Sequence, residues 1–202
     1  MSGSRTLQAA IFIGALSSCI AAPAFAEPAR TPLHLQVTVC DRAGVDQTIL
    51  TAAQLVTADA YRRIGVIIDW SDAGCIAGAP GVYVNLTSGG AEGLNFSDVT
   101  LGFAESGTSD ATVLYDRVEI VARHYHVKRQ ILLGYTIAHE LGHLLLATTT
   151  HGPVGLMRAY WSQEEVRRGQ PRDWSFAPTE LAAMRRRAEA REREARLAWG
   201  TR

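Results

Sequence analysis

The stretch Ile131 to Ala147 constrains this chain more than any other. It reads Ile-Leu-Leu-Gly-Tyr-Thr-Ile-Ala-His-Glu-Leu-Gly-His-Leu-Leu-Leu-Ala, and it is apolar on nearly every side apart from Gly134, Thr136 and three ionisable groups. A helix that is apolar all round is a buried helix. Burying two His and a Glu together without a shared task carries a large desolvation cost. Their spacing supplies a task. His139 and His143 are four apart, so on a helix they stand one above the other on one face. Two imidazole nitrogens there can meet one Zn²⁺ at about 2.0–2.1 Å. Glu140 is one step round, where its carboxylate can reach a water on the open side of the ion and act as general base. At this chain's His and Glu frequencies, H-E-x-x-H arises by accident in about one such chain in a hundred. The plainer alternatives are a satisfied core His pair and a solvated amphipathic helix.

A metal that keeps one position for water needs a third protein ligand. His151 is the nearest candidate. Thr148-Thr149-Thr150 favour leaving the helix, and Gly152-Pro153 is a turn able to aim a side chain inward. Glu164 and Glu165 are the acidic alternatives and would give a His₂Glu set, but Gln163-Glu164-Glu165 reads as a solvated helix start. His124 and His126 form an H-x-H pair on a polar turn, which reads as surface.

His139-Glu140-x-x-His143, then His151, then Gly155-Leu156-Met157, resembles the zincin metallopeptidases and, within them, the metzincins. The third ligand usually follows the second His by six residues, where this chain has Thr149, and Gly by three, where it has Leu146. The pattern is more similar to a compact bacterial H-E-x-x-H-x7-H variant with a Met turn. The resemblance spans roughly residues 110–161. It implies Zn²⁺ on His139, His143 and His151, Glu140 as base, and Met157 in a turn beneath the metal. It also implies an edge strand that pairs with substrate, for which residues 111–115 are the candidate. Tyr160 follows the Met as a Tyr does in astacin-like members, one residue later, and is a candidate to hydrogen-bond water or a developing oxyanion. Half-buried packing under the loop is the alternative for it.

Residues 1–26 read as a secretory signal peptide. Arg5 gives a positive start, Leu7 to Ala22 is mostly apolar, and Ala24-Phe25-Ala26 is a small-x-small cleavage site. Leu16-Ser17-Ser18-Cys19 resembles a lipobox, so a lipoprotein anchored at Cys19 is the alternative. No later stretch is apolar and long enough for a transmembrane helix. The whole chain has 20 basic and 20 acidic residues; loss of Arg5 leaves the remainder nearly neutral. That balance gives no electrostatic footprint for nucleic acid.

Periodicity sketches the rest. Leu33, Leu35, Val37 and Val39 alternate as a strand. Ile49, Ala53, Val56, Ala60 and Ile64 make a helical stripe stopped by Gly65, and Val66 to Trp70 reads as a second strand. A β-α-β unit makes these strands parallel. Cys40 then ends the first strand and Cys75 follows the second at the same sheet edge, so in an exported protein a disulfide is expected, with two buried free thiols as the alternative. Val82, Val84 and Leu86 make a third strand, and 101–104 and 111–115 two short ones. Asp116-x-x-Glu119 reads as a capping box, the active-site helix starts near Val127, Gln170 to Trp174 reads as a linker, and Pro178 opens a charged last helix.

The expected fold is α+β and zincin-like: a small mixed sheet, an active-site helix and a C-terminal helix. Residues 1–26 are the signal peptide, 27–176 the metallopeptidase domain, and 177–202 a charged helix belonging to it or peripheral to it. The expected function is an exported zinc metallopeptidase, periplasmic or secreted, which hydrolyses peptide or protein substrates by a Glu-activated, zinc-bound water. A zinc amidase of the cell envelope and a metal-binding interaction protein without turnover are the alternatives.

Overall fold

The computed structural model describes residues 32–71, 74–75, 81–89, 100–105, 107–169 and 171–200. The expected signal peptide, Cys19 within it, Gln170 and most of the loop after Thr87 lie outside the described residues.

Strand β1 (Leu33–Asp41) buries Leu33, Leu35 and Val37 and leaves His34 outward, as its alternation requires. Helix α1 (Gln47–Arg62) follows. Asp46 caps it by accepting from the backbone N–H groups of Thr48 and Ile49, and those bonds hold the Asp46 carboxyl below its ordinary range. Gly65, at φ +72°, turns the chain into β2 (Val66–Ser71). β2 pairs parallel with β1 from Leu33↔Val66 to Thr38↔Ser71. β3 (Val82–Thr87) pairs parallel on the other side of β1. Two short strands, β4 (Gly102–Ala104) and β5 (Asp110–Leu114), complete a five-stranded sheet in the order β2-β1-β3-β5-β4, with β4 antiparallel to β5. The fold is α+β with a mixed sheet, as the sequence suggests.

The sheet order corrects one expectation. Residues 111–115 are not an edge: β5 is held between β3 and β4, and among the described strands the edge on that side of the sheet is β4. Tyr115 begins helix α2 (Tyr115–Tyr125) rather than ending a strand. The capping box is a second correction. Leu114 occupies the N-cap with no side-chain hydrogen bond. The Asp116 carboxylate accepts instead from the Gly89 N–H, and Glu119 pairs with Arg129.

Helix α3 (Arg129–Leu146) is the buried element, starting two residues after Val127. It lies against α1 at close range because Gly134 has no side chain. A Cβ there would stand 2.6 Å from the Ala53 carbonyl oxygen and from Val56 Cβ. Two hydroxyls of α1 reach across the seam: Thr57 Oγ1 donates to the Gly134 carbonyl at 2.8 Å and Tyr61 to that of Ala138 at 3.0 Å. Leu132, Leu133, Ile137, Leu141 and Leu144 of α3 belong to the buried apolar core, each burial stabilising by about 1.5–3 kcal/mol. After α4 (Gln163–Arg168) the expected linker is a 3-10 turn, Pro171–Trp174, whose Trp174 is buried and stacked on Tyr135 at 4.1 Å. Helix α5 (Pro178–Gly200) buries Met184 and Ala188 and is fastened by Arg185 to the Ile64 carbonyl and by Arg191 to that of Thr108.

Cys40 and Cys75 are bonded, with Cα atoms 5.6 Å apart across 35 residues. Thiol labelling of the denatured, unreduced protein should find neither of them free, and replacing both by Ser should lower stability by about 2–4 kcal/mol in urea titrations. Gly134→Ala should cost about 1–3 kcal/mol by overpacking the α1–α3 seam; an unchanged urea midpoint would contradict that close approach.

Candidate metal centre

Three imidazoles converge where α3 meets the loop that follows it. His139 and His143 come from the buried face of α3, and both are buried. Ala147 adopts a left-handed conformation (φ 52°) that ends the helix and turns Thr148 to Thr150 back across it. That reversal carries His151 to the pair. Its ring centroid lies 5.2 Å from that of His139 and 4.9 Å from that of His143. One ligand atom from each of the three lies within 4.8 Å of the others.

The tautomers follow from the hydrogen bonds. His139 Nδ1 lies 2.8 Å from the Leu156 carbonyl oxygen, and His143 Nδ1 lies 2.8 Å from that of Thr148. A carbonyl oxygen only accepts, so each Nδ1 carries the proton. In neutral rings each Nε2 is then a bare lone pair. The two Nε2 atoms are 3.0 Å apart. Protonating one would relieve their repulsion, but burial opposes it and pushes the His139 imidazolium down to about 3. Burial also lowers His143 and His151. A cation bound by both lone pairs fits this arrangement without adding charge to the rings. Neutral imidazoles, with Nδ1 anchored to carbonyls, are the donor set Zn²⁺ takes.

Glu140 faces the same cavity. Its Oε2 is buried with no hydrogen-bond partner, and burial pushes its carboxyl up to about 8. The edge strand makes room for it. A Cβ on Gly102 would fall 2.8 Å from Glu140 Oε1 and 2.7 Å from the Thr112 carbonyl oxygen. Met157 is buried beneath the helix, its sulfur against Gly142, where any side chain would displace it. Trp161 stands edge-on to His139, and its Nε1 donates at 3.2 Å to the same Leu156 carbonyl that anchors His139. The cavity is about 630 Å³ and is lined by β4, the three His, Glu140 and the segment from Arg158 to Trp161. Tyr160 is in that wall, more than half exposed, and its hydroxyl hydrogen-bonds that of Tyr125, which raises the Tyr125 phenol.

The acidic alternatives stand elsewhere. Glu165 closes the capping box of α4 with Ser162 and pairs with Arg158 at 2.6 Å. Glu164 is 87% exposed. His124 and His126 are not part of any metal-competent cluster among the described residues. Sequence reasoning missed Gly102, Gly142, Tyr125 and Trp161. Only the small residue inside H-E-x-G-H hinted at Met157's place, and nothing local marked the others.

No protein-family model and no curated protein matches this sequence. Many solved structures share its fold, and two of them illustrate the likeness. One is archaemetzincin from Methanopyrus kandleri, 19% identical, with a TM-score of 0.50 over 77% of this chain and 96% of that one. The other is a zinc-dependent peptidase from Methanocorpusculum labreanum, 12% identical, with a TM-score of 0.51 over 73% and 99%. At these identities the likeness is one of fold.

Metal chelation should leave a defined pH signature. Glu140, raised from 4.5 to about 8, contributes stability that is fully present below its unfolded value and lost as pH rises through the folded one. His139, lowered from 6.5 to about 3, contributes stability present above its unfolded value and lost as pH falls through the folded one. In EDTA, the melting temperature should therefore be highest between about 4.5 and 6.5 and fall on both sides; a maximum above pH 8 would contradict the burial of Glu140. His151→Ala should weaken Zn²⁺ binding by more than about 100-fold, since losing an outer-shell partner alone costs 10–100-fold. Glu164→Ala should leave it nearly unchanged in the same chelator competition.

Proposed function

We propose that this chain is an exported zinc-dependent metallopeptidase, with Zn²⁺ held by His139, His143 and His151 and Glu140 as the general base. The observation that carries this is the pair of Nε2 lone pairs 3.0 Å apart, each fixed by a carbonyl behind it. When bound, Zn²⁺ supplies Lewis acidity to a carbonyl and eases loss of a proton from water. The chain's own residues do the rest. Glu140 accepts that proton at the carboxylate oxygen that has no other partner and delivers it to the leaving amine nitrogen. Beside a bound cation, Glu140 would be held as the carboxylate, the form that accepts a proton. Gly102 keeps the space Glu140 needs. The short edge strand β4 forms one wall of the cavity, so an extended peptide lying along it would be oriented by strand addition. Tyr160 stands at the wall as a candidate donor to the developing oxyanion. Met157 supports the helix between the two His.

Residues 27–176 form the peptidase domain, with α5 packed on it. Export rests on the expected signal peptide and is supported by the Cys40–Cys75 bond, which persists in an oxidising compartment. Among the described residues no helix is long and apolar enough to cross a membrane.

Glu140→Gln preserves size and removes the base. Zinc content by mass spectrometry should stay near one per chain while peptide turnover falls by about 10²-fold or more. Undiminished turnover removes Glu140 from the mechanism, and zinc binding without turnover by the wild type leaves a metal-binding interaction protein. Gly102→Ala should also lower kcat, with zinc retained, because the added methyl displaces the Glu140 carboxylate.

A further inference from the structure

The cavity wall holds a fixed cation that the hydrolysis does not use. Among the described lining residues, Arg158 is the only Lys or Arg. It follows Met157 and is clamped at two points: Nε donates to the Gly155 carbonyl at 3.1 Å, and Nη1 to Glu165 Oε1 at 2.6 Å. Glu165 is itself immobilised, its Oε2 accepting from the Ser162 backbone N–H and hydroxyl at 2.9 and 2.7 Å. It therefore acts as a brace that sets the plane of the guanidinium. Nη2 has no hydrogen-bond partner among the described residues, and it is not one of the buried atoms left without one. A guanidinium offers five N–H donors in a planar fork suited to a carboxylate. Val121, Leu132, Val166 and Trp161 line the same cavity, so a charge contact inside it is screened less than at open surface. Among the described lining residues the other acidic side chain outside the proposed catalytic set is Glu105, beyond the end of β4, which disfavours a carboxylate placed there.

We infer that Arg158 is a specificity-determining residue that binds a substrate carboxylate through Nη2, and that the protein prefers peptides carrying one near the scissile bond, as an Asp or Glu side chain or as the C-terminal carboxylate. This rests on the peptidase assignment for what enters the cavity. Arg158 touches the substrate and takes no part in proton transfer.

The test uses zinc-loaded Glu140→Gln, which binds without turning over, titrated by calorimetry with matched peptide pairs. One arm compares Glu with Gln at each position flanking the cleavage site; the other compares free with amidated C termini. In at least one arm the carboxylate member should bind about 10-fold tighter or more, the size expected for a charge-assisted hydrogen bond, and the arm identifies the source. Adding Arg158→Gln should bring that ratio close to one, and Arg158→Lys should restore part of it. Because the readout is a ratio within one variant, general loosening of the wall affects both members alike. Equal affinities in both arms, no binding of either member, or a ratio that survives Arg158→Gln overturns the assignment. Wild-type hydrolysis of the same peptides separates the two claims. Turnover without carboxylate preference overturns the role of Arg158 alone, while carboxylate-selective binding without turnover supports it and overturns the peptidase reading.

Discussion

Two imidazole lone pairs held 3.0 Å apart in a buried site are the constraint on which the rest of this structure depends. Like partial charges do not stay together in a low-dielectric interior unless the surroundings hold them. Here the surroundings are specific. The Leu156 and Thr148 carbonyls fix the far side of each ring, so neither can flip to a harmless tautomer. Leu156 is itself placed by a backbone bond to the Ser175 carbonyl at 2.9 Å, and Trp161 shares its oxygen. The turn after α3, the Met157 turn and the segment before α5 are thus tied together under one pair of rings.

The helix can carry that pair only because its middle, from Thr136 to Leu145, is buried, and α1 packs close against it. Gly134 permits the approach, and Thr57 and Tyr61 satisfy their hydroxyls on the backbone of α3. The same burial penalises Glu140 and leaves one of its oxygens without a partner. Folding alone gains nothing from a carboxylate in that place, and an apolar residue of similar volume there would cost less. The site therefore reads as a local loss of stability that becomes useful once a cation is bound, and the packing of α1, α3 and the sheet offsets it.

How much was legible in the sequence depends on how local each signal was. His139, Glu140 and His143 were legible because helical spacing alone sets their geometry. β1, α1 and β2 were legible for a related reason: one β-α-β unit fixes its own hand and direction, and the position of the cysteines followed. His151 came into view as the nearest imidazole, although its arrival at the cluster depends on a left-handed Ala147, a residue type that does not advertise such a turn. The edge strand was misassigned because a three-residue strand has almost no periodicity, and sheet order is set by pairings far apart, Tyr83 with Asp110 among them. The capping box at Asp116 failed because its carboxylate has a better use on the Gly89 N–H. Trp174, read as linker, is core because Tyr135 stacks on it. Gly102 matters through Glu140 and the Thr112 carbonyl, which face it from other stretches of the chain, and Arg158 through a cavity that distant elements build around it.

The most direct measurement is X-ray absorption at the zinc edge on the purified, zinc-loaded protein, repeated on His151→Ala. Three imidazole nitrogens and one light oxygen at about 2.0–2.1 Å, with one imidazole lost in the variant, are the result this account requires. A carboxylate in the first shell of the wild type, or a spectrum unchanged by His151→Ala, would contradict it.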